Sequence, residues 1–436
     1  MLSAIGANDT RPGRVLDDND KSAYRRVAVS VGQPARRRLA DSVVPHRRAS
    51  LRSRPVTAGR PPRVLIDATS VPADRGGVGR YVDGLLGALG RVCGSAVDLA
   101  VVSLRTDLER YTRMLPGAEV IPAPAAVAHR PARLAWEQTG LPLLAQQVGA
   151  EVLHSPFYTC PLRAGCPVTV TVHDATFFTE PEHYDKSRRT FFRSAIKTSL
   201  RRANRVIVPS KATRDELIRL LDADPTRIDV AYHGVDQAAF HAPSEEEKAR
   251  VRARLGLGSS SYVAFLGAKE PRKNVPNLIR GWARAVADRE NPPALVIAGG
   301  QGHDDDIDRA VAEVPSHLRL LRPGYLRYGD LPGFLGGALV AAYPSYGEGF
   351  GLPILEAMAC AAPVLTTPRL SLPEVGGDAV AYTSEDPDQI ATDLTALLDD
   401  EQRRLSLAKA GFDRAKEFTW ESSAEVHIAA WSRARS

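Results

Sequence analysis

The sequence is poor in cysteine and in aromatic residues and contains no long apolar run. Its four cysteines, Cys93, Cys160, Cys166 and Cys360, show neither Cys-x-x-Cys nor His-rich spacing. That excludes a disulfide scaffold or a zinc ribbon, and they read as reduced thiols. No stretch approaches the roughly 18 apolar residues of a membrane span, and the opening MLSAIGANDTRPGR lacks the apolar segment of a secretory signal. The expectation is a cytoplasmic protein. A Walker loop is missing too. The turn Gly76-Gly77-Val78-Gly79-Arg80-Tyr81 departs from G-x-G-x-x-G spacing and has no acidic residue at the expected distance after it, so no nicotinamide cofactor is expected. What is present is ordinary globular composition, 44% apolar and 25% charged over 436 residues, with room for more than one core.

The net charge of +6 is unevenly spread. Residues 1–62 hold 13 Lys or Arg against 5 Asp or Glu, which leaves the other 374 residues at a net −2. A nucleic-acid partner is therefore not expected of the globular part. The segment 1–62 is Arg-, Ser- and Pro-rich with little hydrophobic periodicity, the composition of a disordered basic tail. Three readings of it stay open: a polybasic contact for anionic lipid, a transit-like segment, or translation from a start upstream of the domain.

From Arg63 onward short apolar runs alternate with helical patterns. RVLID (63–67), DLAVVSL (98–104), EVLH (151–154), PVTVTV (167–172) and RVIVP (205–209) are followed by YVAFLG (262–267), ALVIAG (294–299), LRLL (318–321), ALVAAYP (338–344) and PVLTT (363–367). Continuous Val/Ile/Leu runs without polar alternation indicate strands buried on both faces, hence parallel sheets covered by helices. The charged, strand-free stretch 236–261 divides the chain. The predicted fold is α/β with two Rossmann-like doubly wound domains, 63–235 and 262–417, facing across a cleft and joined by a linker at 236–261. Ligands are expected at the carboxyl ends of the strands.

The chemistry is then sought in turns that follow strands. YPSYGEGFGLPILEAMACAAPVL, from Tyr343, reads as a strand, a loop with Gly347, Gly349 and Gly351, and a helix with Pro353 in its first turn. Glycines let a ligand approach the backbone, proline is preorganised at a helix start, and the exposed first-turn amides favour an anion. A phosphate suits this place. Glu348 projects from the loop and Glu356 follows eight residues later in the helix, so the two carboxylates reach different parts of one ligand. The second signal is Gly267-Ala268-Lys269-Glu270-Pro271-Arg272-Lys273-Asn274, which sets two adjacent cations just before a helix. A guanidinium and an ammonium together suit a diphosphate. A solvated charge pair is the plain alternative.

These residues resemble the retaining GT-B glycosyltransferases of glycosyltransferase family 4. The resemblance runs from 63 to 431 and rests above all on the E-x7-E signature EGFGLPILE (348–356), AMACAAPVLTT and LPEVGGDAVAY (372–382). GGVGRY, WEQTGLP, LHSP, VHDATFF, VIVPSKATRDEL, YHGVD, AKEPRKN and IAGGQG add weaker matches. It implies that the second lobe binds a nucleotide-diphosphate sugar, the first binds the acceptor, and 418–436 is a helix crossing back to the first lobe. Glu348 would bind hydroxyls of the transferred sugar and Glu356 those of the ribose. Amides near Gly349, Phe350, Gly351 and Leu352 would meet sugar and phosphate, and Arg272 with Lys273 would neutralise the departing diphosphate. His173 would face the donor sugar. Gly76, Gly77 and Gly79 would form a loop near the phosphates and acceptor, Gly267 would end the first strand of the donor lobe, and Gly324 and Tyr325 would border the base. Two departures stand out: Ala268 where many relatives carry Arg, and Ala361 where many carry Gly.

The resemblance further implies a metal-independent hexosyltransferase without a cofactor. The form of the cation loop and of GGVGRY looks most like mannosyltransferase members, so GDP-mannose is the implied donor, other GDP- or UDP-sugars remaining open. The acceptor would be a glycan, a lipid-linked molecule or a small molecule. Asp304-Asp305-Asp306 matches a D-x-D metal motif of a different transferase fold, but an acidic helix start explains it better. Arg189, Arg193, Lys197 and Arg201 repeat at helical spacing beside a Phe192, Ile196, Leu200 stripe. That helix either lies on a membrane surface, giving a peripheral location at the inner face, or faces the core with a solvated side. A non-catalytic nucleotide-sugar sensor on the same fold is the alternative function. A phosphorylase would need a lysine-bound pyridoxal site that is not identifiable.

Overall fold

The computed structural model describes residues 61–71, 75–300, 302 and 304–436. The readings made for residues 1–60 lie outside them.

The Val- and Ile-rich runs become strands of two fully parallel sheets. In the first lobe these are β1 (Arg63–Asp67), β2 (Asp98–Ser103), β3 (Glu119–Pro122), β4 (Val152–Ser155), β5 (Val168–Thr171), β6 (Arg205–Val208) and β7 (Ile228–Val230), in the order β3-β2-β1-β4-β5-β6-β7. The second lobe has β8 (Tyr262–Leu266), β9 (Ala294–Ala298), β10 (Leu320–Gly324), β11 (Val340–Tyr343), β12 (Val364–Thr366) and β13 (Ala381–Tyr382), in the order β10-β9-β8-β11-β12-β13. Each sheet reverses its winding beside its first strand, between β1 and β4 and between β8 and β11. Crevices open at the carboxyl ends of such strands.

The three strands that the apolar runs do not reveal, β3, β7 and β13, are all sheet edges. An edge strand has one neighbour and one accessible flank, so β3 is exposed at both ends and half-buried between instead of running apolar. LRLL is displaced: its strand starts at Leu320 and ends at Gly324.

The stretch 236–261 contains no strand but does hold a helix, Glu245–Arg254, started by a reciprocal capping box between Ser244 and Glu247. The helix Lys186–Arg202 turns Phe192 and Ile196 into the core. Its Arg189 and Arg193 donate to the carbonyls of Pro181 and Phe177, at 3.1 and 2.7 Å, while Lys197, Arg201 and Arg202 are exposed. This is the core-facing alternative, with part of the basic stripe engaged in bracing the 177–184 segment. The last helix, Trp420–Arg435, packs on the first lobe. His427 Nε2 lies 2.8 Å from the buried Tyr81 hydroxyl, and Arg433 reaches Asp229 of β7 at 2.6 Å. A Cβ at Gly234 would stand 2.1 Å from the Trp420 backbone nitrogen, so only glycine admits this crossing.

Ala361 has φ +54°, in the left-handed region that is costly for a residue with a Cβ. Relief of that strain outweighs the entropy glycine adds to the unfolded chain. Ala361→Gly is expected to stabilise the protein by up to about 1 kcal/mol, read as a higher urea midpoint with an unchanged slope.

Candidate active site

The loop after β11 is shaped by two glycines. Gly351 takes φ +106° as the N-cap of the helix Leu352–Ala359, and a Cβ on Gly349 would fall 1.8 Å from the His173 carbonyl oxygen of the other lobe. The lobes therefore meet backbone to backbone here. Ser210 Oγ donates to the Gly349 carbonyl at 2.7 Å and Thr213 Oγ1 at 3.2 Å. The N–H groups of Phe350, Gly351 and Leu352 donate to no acceptor among the described residues. Together with the helix dipole they leave positive potential at the mouth of the helix.

Glu348 is buried under that loop at 7% exposure. Arg272 Nη1 reaches its Oε2 at 2.7 Å, while Lys273 Nζ, Ser345 Oγ (2.9 Å) and the Tyr343 hydroxyl (3.0 Å) donate to Oε1. Burial alone would raise this carboxyl, but the two cations outweigh it and hold the group down at about 2. Arg272 and Lys273 lie in a short turn, Pro271–Lys273, that leads from β8 into the helix Val275–Val286. Arg272 also pairs with Glu270, and Arg188 of the first lobe approaches Glu270 at 3.6 Å.

His173 follows β5. Its Nε2 is 2.8 Å from the Pro156 carbonyl, which can only accept, so Nε2 carries the proton and Nδ1 is the acceptor. Burial pulls its pKa below the usual histidine value, which favours the neutral ring. His173 packs edge-on against Tyr81, and His233 stands 5.0 Å from Phe350 between ring centroids.

Glu356, on the helix Leu352–Ala359, is 2% exposed and faces a different partner. Arg80 of the first lobe, in the opening turn of the helix Gly77–Val92, donates through Nη1 to its Oε2. Gly76 caps that helix, and Gly77 and Gly79 lie in its first turn, so this turn borders the cleft.

The structure thus gathers Glu348, Arg272, Lys273, Gly349, Phe350 and His173 at one point, and Glu356 with the Gly76–Arg80 turn at a second. Gly267 directly follows β8, its N–H bonded to the Ala298 carbonyl at 3.0 Å. Gly324 ends β10, three places from β11 in the sheet, and Tyr325 is exposed near Gly300. Asp304 Oδ1 accepts the Asp306 N–H at 3.2 Å and Asp306 pairs with Arg280 at 2.8 Å, the arrangement of a helix start. Glu180, Glu182 and His183 bring potential metal-donor atoms within 4.8 Å of one another, but Glu180 already pairs with Arg369.

Sequence reasoning left several site residues unassigned. Arg80 stands inside a quoted motif, but its partner is 276 residues away. Ser345 and Tyr343 carry no motif signal of their own. Glu374 accepts the Lys211 and Ala212 N–H groups at 2.9 and 2.6 Å and the Tyr232 hydroxyl at 3.0 Å, so a second-lobe carboxylate caps a first-lobe helix.

Residues 75–239 match the family described as Glycosyltransferase Family 4, and residues 247–414 match Glycosyl transferases group 1. The chain is 33% identical over 288 residues to the O-antigen chain mannosyltransferase B of Escherichia coli, covering 64% of this chain and 74% of that one. It is 35% identical over 246 residues to the D-inositol 3-phosphate glycosyltransferase of Salinispora tropica, spanning 50% of this chain and 48% of the relative. Among solved structures, sucrose-phosphate synthase from Thermosynechococcus elongatus superposes with a TM-score of 0.67 at 21% identity, covering 84% of this chain and 97% of that one. Anabaena HepE in complex with UDP and glucose gives a TM-score of 0.65 at 18% identity, covering 84% and 98%. The chain belongs to the family 4 glycosyltransferases of GT-B fold, and its chemistry is glycosyl transfer.

The Glu348 cluster has a pH signature. Its folded value lies below its ordinary 4.5, so the stabilisation it gives is complete above that value and is lost as the pH falls toward about 2. Glu348→Gln should flatten the decline of the urea midpoint between about pH 5 and 3. An equally steep decline in the variant would place the acid sensitivity elsewhere.

Proposed function

We propose that the protein is a retaining, metal-independent hexosyltransferase that moves mannose from GDP-mannose to a glycan or lipid-linked acceptor. The observation that carries this reading is the buried Glu348 carboxylate held by Arg272 and Lys273 beside the free amides of Phe350, Gly351 and Leu352. Hydroxyl recognition and diphosphate neutralisation are thereby adjacent. The E. coli relative named for O-antigen mannosyl transfer supports mannose as the sugar. The complexes of HepE with UDP and of a starch synthase with ADP support a nucleotide-diphosphate donor.

In the proposed reaction the bond between the anomeric carbon and the diphosphate oxygen breaks while the acceptor hydroxyl oxygen forms a bond at the same face. The hydroxyl proton passes to the departing phosphate. Negative charge grows on the phosphate, and preorganised cations and amides there stabilise the transition state more than the ground state. Neutral His173 offers Nδ1 as an acceptor for a sugar hydroxyl. Metal independence follows from this potential being supplied by Arg272, Lys273 and the helix amides.

No helix among the described residues is long and apolar enough to cross a membrane. Exposed Lys197, Arg201 and Arg202 support peripheral contact with an anionic surface carrying a lipid-linked acceptor.

The test is transfer from a panel of nucleotide sugars followed by mass spectrometry, with the product anomer read by NMR. Donor binding without hydrolysis or transfer would favour the sensor alternative. Activity is expected to survive EDTA; abolition with recovery on manganese would overturn metal independence and bring back Asp304 to Asp306. Glu348→Gln should lower kcat, because a contact tightened in the transition state acts on the chemical step. Glu356→Gln should act mainly on donor KM, by about ten- to a hundredfold for a charge-assisted hydrogen bond. Normal kcat and KM in a folded Glu348→Gln variant would sink the assignment.

A further inference from the structure

Two features of Glu356 are not explained by its placement on a nucleotide-binding helix. Its carboxylate is almost wholly buried, and the charged group that meets it comes from the opposite lobe. Oε2 is taken by Arg80, whereas Oε1 accepts no hydrogen bond among the described residues. Arg80 is itself held from behind: its guanidinium lies 5.7 Å from the ring centroid of buried Phe240, and Phe240 packs edge-on against Tyr328 at 5.7 Å. One carboxylate oxygen is thus anchored and the other is left for a ligand.

We propose that Arg80 is a positioning residue for donor binding: from the first lobe it fixes and charge-balances the Glu356 carboxylate so that Oε1 can accept a ribose hydroxyl. This deepens the proposed function and rests on its reading of Glu356. Arg80 and the ribose do not compete, because they use different oxygens. The contact also ties nucleotide recognition to lobe closure, since Glu356 has its counter-charge only when the two lobes meet.

The electrostatics agree. Burial raises the Glu356 carboxyl and only Arg80 acts against it. Without that guanidinium the effect of burial is unopposed, so the carboxyl shifts further toward its neutral form, which lacks the charge that strengthens a hydrogen bond from a hydroxyl. The phenols and the thiol around the pair stay neutral near pH 7. Burial pushes Tyr328 up to about 12 and raises Tyr343 and Cys360 as well. Asp83 and Asp236 act on Tyr328 and Glu247 on Cys360, and none of them on Glu356.

The experiment measures Kd for GDP and for UDP by calorimetry, in the full chain, for wild type, Arg80→Lys, Arg80→Met, Glu356→Gln and the Arg80→Met/Glu356→Gln double variant. Arg80→Met should weaken the preferred nucleotide about tenfold or more at pH 7. That penalty should shrink as the pH rises and the orphaned carboxyl ionises, and Arg80→Lys should recover most of the affinity. The double variant should bind no more weakly than Glu356→Gln alone, since Arg80 acts through that carboxylate. Additive losses, or a penalty that does not shrink with rising pH, would overturn the inference and make Arg80 a direct phosphate ligand. A merely structural role would lower stability without a pH-dependent Kd, which also overturns it. If Arg80→Met does not fold, the inference is decided by the neutral variant Arg80→Gln, alone and combined with Glu356→Gln. A loss of affinity in Arg80→Gln that vanishes on the Glu356→Gln background supports it, and unchanged or additive behaviour rejects it. If Glu356→Gln binds normally, or wild type binds neither nucleotide, the reading of Glu356 beneath the inference fails instead.

Discussion

A buried carboxylate stays charged only where a cation meets it, and the cleft of this glycosyltransferase is organised around two such groups eight residues apart. Removing the partner of a buried ion costs far more than the pair itself contributes, so each glutamate dictates what surrounds it. Glu348 draws Arg272 and Lys273 from the end of β8, and with them Ser345 and Tyr343, into one hydrogen-bonded cluster. Glu356 draws its cation from the other lobe. The first cluster is assembled by the fold of one sheet alone; the second exists only where both sheets come together.

The contact between the lobes is correspondingly polar and specific. The Gly349 carbonyl is received by Ser210 and Thr213, the first-turn amides of the helix Lys211–Leu221 are received by Glu374, and Glu270 and Glu180 approach Arg188 and Arg369. Such contacts exchange for water more readily than an apolar seam does. The terminal helix is different in kind. Trp420 is buried against Gly234 and close to Gly84, and His427 and Trp431 are wholly buried beside Tyr81 and His154. This apolar strap holds the two lobes in one unit while the cleft face stays polar.

Much of the architecture was legible because strands buried on both faces must be apolar throughout, and ten such runs stand out against helical patterns. The edge strands β3, β7 and β13 were not legible: β3 largely faces solvent and carries no such constraint, while β7 and β13 are mostly buried but only three and two residues long, too short to form an apolar run. In the site, Glu348, Arg272 and Lys273 were legible because glycine-rich turns after apolar runs have few other reasons to carry charge. Their joint contact was inferred from chemistry and is a matter of tertiary geometry. The helix Lys186–Arg202 shows the converse: its paired apolar and basic stripes fit either environment, and only the structure shows that Phe192 and Ile196 enter the core and Arg189 and Arg193 meet carbonyls, leaving Lys197, Arg201 and Arg202 on the surface.

By itself, then, the sequence determined the two parallel sheets, the turns that carry charge and glycine, and membership in a family whose signature is local. Each of those depends on residues within a few positions of one another, through periodicity, φ preference or helix-start chemistry. Tertiary structure alone decided which charge meets which. Arg80 and Glu356 are separated by 276 residues, Glu374 caps a helix 162 residues away, and Gly349 abuts the His173 carbonyl. No local pattern encodes such pairs, because the energy that selects them, a buried charge finding its counter-charge, is felt only after the two lobes have folded and closed.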